Sequence, residues 1–128
     1  MDSRTRSPAP DTPITVLVVE PAPLLAARLF RIALLCENLD VALAEGFAAA
    51  VARLQADPFD VVIVDVDTMA WPALRELDAL RGAAPGALLV AVTCEADPEI
   101  SLACRARGAD RVLDLHAVLA ELVRLSGP

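Results

Sequence analysis

Lysine and tyrosine are absent from this chain, and histidine occurs once, as His116. Without lysine there is no Walker-type phosphate-binding lysine and no Schiff-base amine. A single histidine excludes a multi-histidine metal site and the H-E-x-x-H helix. All eleven basic residues are therefore arginine, which an Ala- and Arg-rich codon bias explains, and the chemical consequence holds whatever the cause. The three cysteines form no C-x-x-C pair, and the polar opening MDSRTRSPAPDTP has no apolar segment of its own. Together these point away from a secreted disulfide scaffold and towards reduced thiols in a cytoplasm. No apolar run approaches the roughly 18 residues that span a bilayer. A formal charge of −7 argues against nucleic acid, which calls for a basic face. No glycine-rich turn follows the first apolar run, where the residues are EPAPLL, so a dinucleotide-binding crossover is excluded.

What is present is apolar. Hydrophobic residues make up 56% of 128 residues, and the mean hydropathy is +0.54. That is enough for one domain with a core, with apolar surface left for a partner to cover. The organising stretch is Pro58 to Met69, PFDVVIVDVDTM. Val61, Val62, Ile63 and Val64 run without polar alternation, as in a strand buried on both faces of a parallel sheet. The run ends in Asp65 and Asp67, where such a strand opens into its loop, and open α/β sheets place their sites at that edge.

The remaining segments alternate in type. Ile14 to Val19 is a second continuous β run, ending at Glu20 and broken by Pro21 and Pro23. From Leu24 to about Cys36 the spacing of Leu25, Leu29, Ile32 and Cys36 predicts a helix with one apolar stripe, leaving Phe30 and Leu34 on the opposite side. A short strand over Asp40–Ala44 precedes a helix from the Glu45-Gly46 turn to about Gln55. The central strand spans Asp60–Asp65. A helix over Ala73–Arg81 ends at Gly82, and a fourth strand covers Ala87–Val92. Asp97-Pro98-Glu99 is a helix start, with that helix stopping at Gly108. Asp110–Asp114 is a fifth strand, and His116–Leu125 the last helix. Strand–helix alternation implies right-handed crossovers and a doubly wound five-stranded parallel sheet over residues 14–126. Residues 1–13, rich in Ser, Pro and charge, read as a disordered tail.

In this order the motifs resemble the receiver domain of bacterial response regulators, a flavodoxin-like (βα)5 fold. VLVVEPAP resembles its first strand and acidic pair, DVVIVD the strand ending in the phosphorylated aspartate, VAVTCEAD the switch strand, and RGADRVLDLH the stretch before its lysine. The resemblance covers about residues 14 to 126. It implies Asp65 as the phosphoacceptor position, Thr93 as the switch hydroxyl, and Glu20, Asp65 and Asp67 around a Mg²⁺ ion. The family's second metal-binding acid is Pro21 here, its aromatic switch residue is Val112, and its lysine is Leu115, followed by His116. Arg111, four residues before Leu115, is a poor substitute for the lysine. Asp67 adds a carboxylate that stands in for the acid lost at Pro21, a reading that an Asp67→Asn variant with unchanged Mg²⁺ affinity would rule out.

The implied function is that of an atypical single-domain receiver in two-component or phosphorelay signalling. It acts by protein–protein contact, with phosphorylation weak or lost, and is not an enzyme. The alternative is a working Mg²⁺-dependent phosphoacceptor at Asp65. Partners implied are a histidine kinase, a phosphotransfer protein or a downstream target, with a homodimer through residues 97–125 and no nucleic acid or membrane. Since no output domain follows in this sequence, output by binding is expected. DVDTM superficially resembles the haloacid-dehalogenase phosphatase motif, but that chemistry needs a later cation and acidic pair, usually in a longer chain. Cys94 beside Thr93, and Trp71 after the acids, are secondary candidates for redox and for packing over the site.

Overall fold

The computed structural model describes residues 13–20, 27–29, 31, 38–66, 72–93 and 98–126. Five strands, β1 (Ile14–Val19), β2 (Leu39–Ala44), β3 (Val61–Asp65), β4 (Leu88–Val92) and β5 (Arg111–Leu113), form one sheet in the order β2-β1-β3-β4-β5. Every pairing is parallel. Four helices are α1 (Phe47–Ala56), α2 (Pro72–Ala83), α3 (Pro98–Ala106) and α4 (Leu115–Ser126). Residues 27–29 and 31, between β1 and β2, are also helical.

The unalternating apolar strands are explained by what covers them. Leu17, Val19, Val62, Val64, Leu89 and Ala91 face a cluster with Ala50 and Leu54 of α1, Leu77 and Leu80 of α2, and Cys104 of α3. Val16, Val18, Val61, Ile63, Val90 and Val92 face Leu29 together with Val118 and Leu122 of α4. Successive side chains in a strand point to opposite faces, so two apolar layers demand an apolar residue at every position. The chain therefore has the doubly wound flavodoxin-like architecture expected of it. Leu29 lies in the core as its stripe predicted, whereas Leu25, Phe30, Ile32, Leu34 and Cys36 lie outside the described residues.

Several boundaries differ from the sequence reading. Gly82 does not end α2, which continues to Ala83. The glycine is exposed with nothing within 4 Å of the place its Cβ would occupy, and a helix tolerates such a glycine at about 1 kcal/mol. Asp60 and Asp110 stand one residue before their strands and act on the neighbouring strand instead. The Asp60 N–H donates to the Thr15 carbonyl at 3.0 Å, while the Thr15 N–H donates to Asp60 Oδ2 at 2.9 Å. The Asp110 N–H donates to the Leu89 carbonyl at 2.8 Å, and the Leu89 N–H returns to Asp110 Oδ2 at 2.8 Å. Each carboxylate thus replaces a ladder partner at the amino-terminal edge of the sheet. Asp114 also leaves its strand: it caps α4, its Oδ1 accepting the Ala117 N–H at 2.7 Å.

α3 ends at Ala106, and Gly108 forms the stop expected there. The Gly108 N–H donates to the Arg105 carbonyl and the Ala109 N–H to the Cys104 carbonyl, both at 3.1 Å, the pair of bonds that defines a Schellman terminus. Gly108 has φ +104°, which a side chain adopts only with strain.

Candidate functional site

The strand order decides which loops meet. The chain leaves β1 for β2 on one side and reaches β3 on the other, so β1 and β3 flank the point where the winding reverses. Ligands of such sheets bind at the carboxyl ends of the strands there. Glu20 follows β1, Asp65 ends β3 and Thr93 follows β4, and β3 is hydrogen-bonded to both of the others. Val19 pairs with Val64, so continuing the register sets Glu20 level with Asp65; Asp65 pairs with Val92, so Thr93 lies one step further on. Neighbouring strands lie about 4.8 Å apart, which brings the three backbones together at one edge.

Main-chain bonds carry the ladder one residue past two strands. The Glu20 N–H donates to the Ala44 carbonyl at 3.1 Å, and the Thr93 N–H to the Leu113 carbonyl at 3.0 Å. Glu20 is 1% exposed and Thr93 4%, the buried polar residues among those described; Asp65 is half-buried. A carboxylate taken so far from water needs compensation from hydrogen bonds or cations. Asp67, Pro21, Trp71 and Cys94 lie outside the described residues. Among the described residues no three of His, Cys, Asp and Glu group together as metal ligands, and Glu20 and Asp65 are the two members of the expected set that are described. Their hard carboxylate oxygens fit Mg²⁺, which is bound through one or two carboxylates with several waters retained.

The β5 side of this edge is apolar. Val112 is half-buried against the cluster containing Leu89, Ala91 and Cys104, and Leu115 is half-buried against the opposite cluster, which contains Val92 and Val118. Arg111 opens β5 in register with Val90, two positions before the partner of Val92, and its guanidinium lies 4.0 Å from Glu121. Other arginines are engaged elsewhere. Arg81 binds Asp110 at 2.8 Å, Arg107 binds Asp78 at 3.0 Å, Arg124 pairs with Glu121, and Arg53 lies over the Phe59 ring. His116 is exposed in the first turn of α4, the helix-start role expected of it.

What sequence reasoning missed lies at the other edge. Arg81, read only as a helix-end residue, ties together two connections, α2 to β4 and α3 to β5. It donates to the carbonyls of Ala84 at 2.8 Å, Pro85 at 3.1 Å and Gly108 at 3.2 Å, and to that of Ala87. The available signal was an aspartate immediately preceding each of two strands, Asp60 before β3 and Asp110 before β5.

Many of the solved structures that match are response-regulator receiver domains, and the chain has the receiver (CheY-like) fold. The receiver domain protein from Methanospirillum hungatei superposes with a TM-score of 0.73 at 18% identity, over 90% of this chain and 94% of that one. Chemotaxis protein CheY4 of Vibrio cholerae gives 0.71 at 24% identity, over 88% of this chain and 98% of its own. A response regulator from Burkholderia pseudomallei, solved with a phosphorylated aspartic acid, a calcium ion and citrate, gives 0.71 at 22% identity. That match covers 84% of this chain, which spans 65% of the Burkholderia protein. No protein-family model matches, and no curated protein matches by sequence. Among the described residues no helix is long and apolar enough to cross a membrane.

Proposed function

We propose that this chain is an atypical receiver in two-component or phosphorelay signalling that works by binding a protein partner, with phosphorylation at Asp65 slow or lost. Residues 14–126 form the receiver-like domain, and 1–13 its tail. The observation that carries this reading is the apolar packing of Leu115 and Val112 beside the edge that holds Glu20, Asp65 and Thr93. Making an acyl phosphate on a carboxylate brings anionic oxygens onto an anionic nucleophile, and its transition state depends on cations placed around the transferring group. Removing one such charged contact costs about 2.7–4 kcal/mol, or roughly a hundred- to a thousandfold in rate, by analogy with an oxyanion-hole donor. In this reading Glu20 and Asp65, with Asp67, would hold Mg²⁺, which supplies charge neutralisation when bound. Asp65 would be the acceptor, and Thr93 would donate its hydroxyl to a phosphoryl oxygen. Output is a contact with a histidine kinase, a phosphotransfer protein or a downstream target in the cytoplasm, or with a second copy through residues 97–125. The chain is a signalling module and not an enzyme.

A second reading, a working phosphoacceptor, is favoured by the buried Glu20 kept beside Asp65 at the winding reversal. The two separate in one titration. Mg²⁺ is added with and without beryllofluoride while Trp71 fluorescence is followed. A binding reading with a lost site expects no saturable response in folded protein. A saturable change that disappears in Asp65→Asn replaces it with the phosphoacceptor.

A further inference from the structure

The amino-terminal edge of the sheet, opposite the candidate site, carries a cleft of about 430 Å³. One wall is the end of α1 and its connection to β3, with Leu54, Asp57, Pro58 and Phe59; the other is residues 83–87, which lead from α2 to β4. We propose that this cleft seats an arginine side chain presented by a partner protein, with its guanidinium on Asp57 and the main-chain carbonyls that close α1. The stem of that arginine lies along Leu54 and Phe59.

The molecule itself supplies the precedent. Both walls end a helix in the same way, with a proline four residues after a carbonyl of the last turn: Pro58 after Leu54 and Pro85 after Arg81. Proline has no N–H, so neither carbonyl can take its usual helical donor. In α2 the residue at that position is an arginine, and its guanidinium closes its own connection. It donates to the carbonyls of Ala84 at 2.8 Å and Pro85 at 3.1 Å, and to that of Ala87. Aligned on the prolines, α1 has Leu54 in that place and carries no such cation. The corresponding carbonyls are those of Asp57 and Pro58. Like those of Leu54, Gln55 and Ala56, they receive no protein donor among the described residues.

Charge and shape agree. Helix carbonyls point towards the carboxyl end, where cations are favoured, and Asp57 adds an exposed carboxylate at that end of α1. Arg53, the basic residue in the last turn of α1, is engaged elsewhere. Its guanidinium lies 5.6 Å from the centroid of the Phe59 ring and makes no hydrogen bond among the described residues. Its single charge is outnumbered by Asp57 and Asp60 on the same connection, while Arg81 on the other wall is matched by Asp110. A guanidinium is a planar fork of five N–H donors, so one arginine can reach a carboxylate and adjacent carbonyls together. Leu54 and the half-buried Phe59 offer the apolar surface that its methylene stem needs. A chain with a formal charge of −7 also draws a basic partner.

Of the proposed function only the binding of a protein is needed here, and the two fail separately, since this cleft and Asp65 lie at opposite edges of the sheet. The test follows amide spectra of the ¹⁵N-labelled full chain titrated with a blocked tripeptide, Ala-Arg-Ala. Its citrulline counterpart, which keeps the shape and loses the charge, is titrated beside it. The arginine peptide moves the amides of Ala56, Asp57, Phe59 and Gly86 saturably, and the citrulline peptide leaves them in place. Asp57→Asn, at an exposed position, weakens the affinity about two- to fivefold, the scale of one exposed ion pair. Asp65→Asn leaves it as it is. No saturable movement with the arginine peptide overturns the proposal, as does an equal response to citrulline or an Asp57→Asn affinity that matches the parent. A response lost in Asp65→Asn would seat the peptide at the opposite edge, and overturns it too.

Discussion

A Cβ added at Gly108 would stand 2.9 Å from Cγ of Arg81, in a residue whose φ is +104°. Both the backbone conformation and the neighbour therefore demand glycine. The left-handed conformation alone costs a residue with a side chain about 1–2 kcal/mol, and Arg81 cannot yield freely because its guanidinium is held by Asp110 and several carbonyls. Gly108→Ala is expected to lower stability by about 1–2 kcal/mol or more, read as a drop of several degrees in the thermal midpoint. A variant with an unchanged midpoint would show that α3 ends without needing this geometry. Leu115 poses the converse case, a residue whose replacement should add function. It is half-buried, so the stem of a lysine can follow the apolar surface while its ammonium reaches outward. Under the proposed function, Leu115→Lys raises acyl-phosphate formation at Asp65 from a small phosphodonor by roughly a hundredfold, the scale of one restored charged contact. The gain vanishes when Asp65→Asn is added. A rate no faster than that of the parent chain would mean that the missing cation is not what limits the site.

At the scale of elements, Asp60 and Asp110 do the same work on different strand pairs, and Asp110 has a measurable signature. The Leu89 N–H it accepts, and then the Arg81 guanidinium, hold its carboxyl below the usual carboxylate value of 3.8, against a partial burial that pushes it up. A carboxyl depressed in the folded state contributes stability that is fully present above its unfolded value and lost as pH falls through the folded one. Unfolding midpoints measured between pH 7 and pH 3 should therefore fall more steeply below about pH 4 for the parent chain than for Asp110→Asn. Parallel curves would remove Asp110 from the acid response. The same aspartates mark where the sequence was legible and where it was not. Runs such as Val61–Val64 read correctly as buried strands because two apolar layers leave them no polar position. Gly108 read correctly because only glycine closes that terminus cheaply. Asp60 and Asp110 were read as strand residues, since a carboxylate that bonds across to a neighbouring strand looks in one dimension like a strand's first residue. Gly82 read as a stop, yet an exposed glycine with open space around it merely weakens a helix. Of the candidate site, Glu20, Asp65 and Thr93 were legible from their places at strand ends, and the sheet order brings them to one edge. The cation clamp at Arg81 was not legible, because its partners lie in connections that only the fold assembles.

At the scale of the whole molecule, the two edges of the sheet have separate tasks: one gathers the carboxylates, and the other is tied by Asp60, Asp110 and Arg81. A third surface lies along β5, where α3 and α4 flank the edge strand on opposite faces of the sheet. Leu102 of α3 is 69% exposed and Val123 of α4 is 46% exposed, the large hydrophobic residues most open to solvent among those described. Scattered exposed apolar residues are ordinary; these two sit on the helices that flank β5, a strand of three residues at the end of the sheet among the described residues. On α4, Glu121 pairs with Arg124 and with Arg111 of β5, so a partner seated on that helix would meet paired charge close in sequence to the exposed Val123. If that partner is a second copy through residues 97–125, light scattering at high concentration gives twice the chain mass. Leu102→Asp would then return it to the mass of one chain while leaving the thermal midpoint close to that of the parent, because so exposed a side chain carries little of the core. A parent chain that remains monomeric at every concentration would remove the homodimer and leave this face for a different protein.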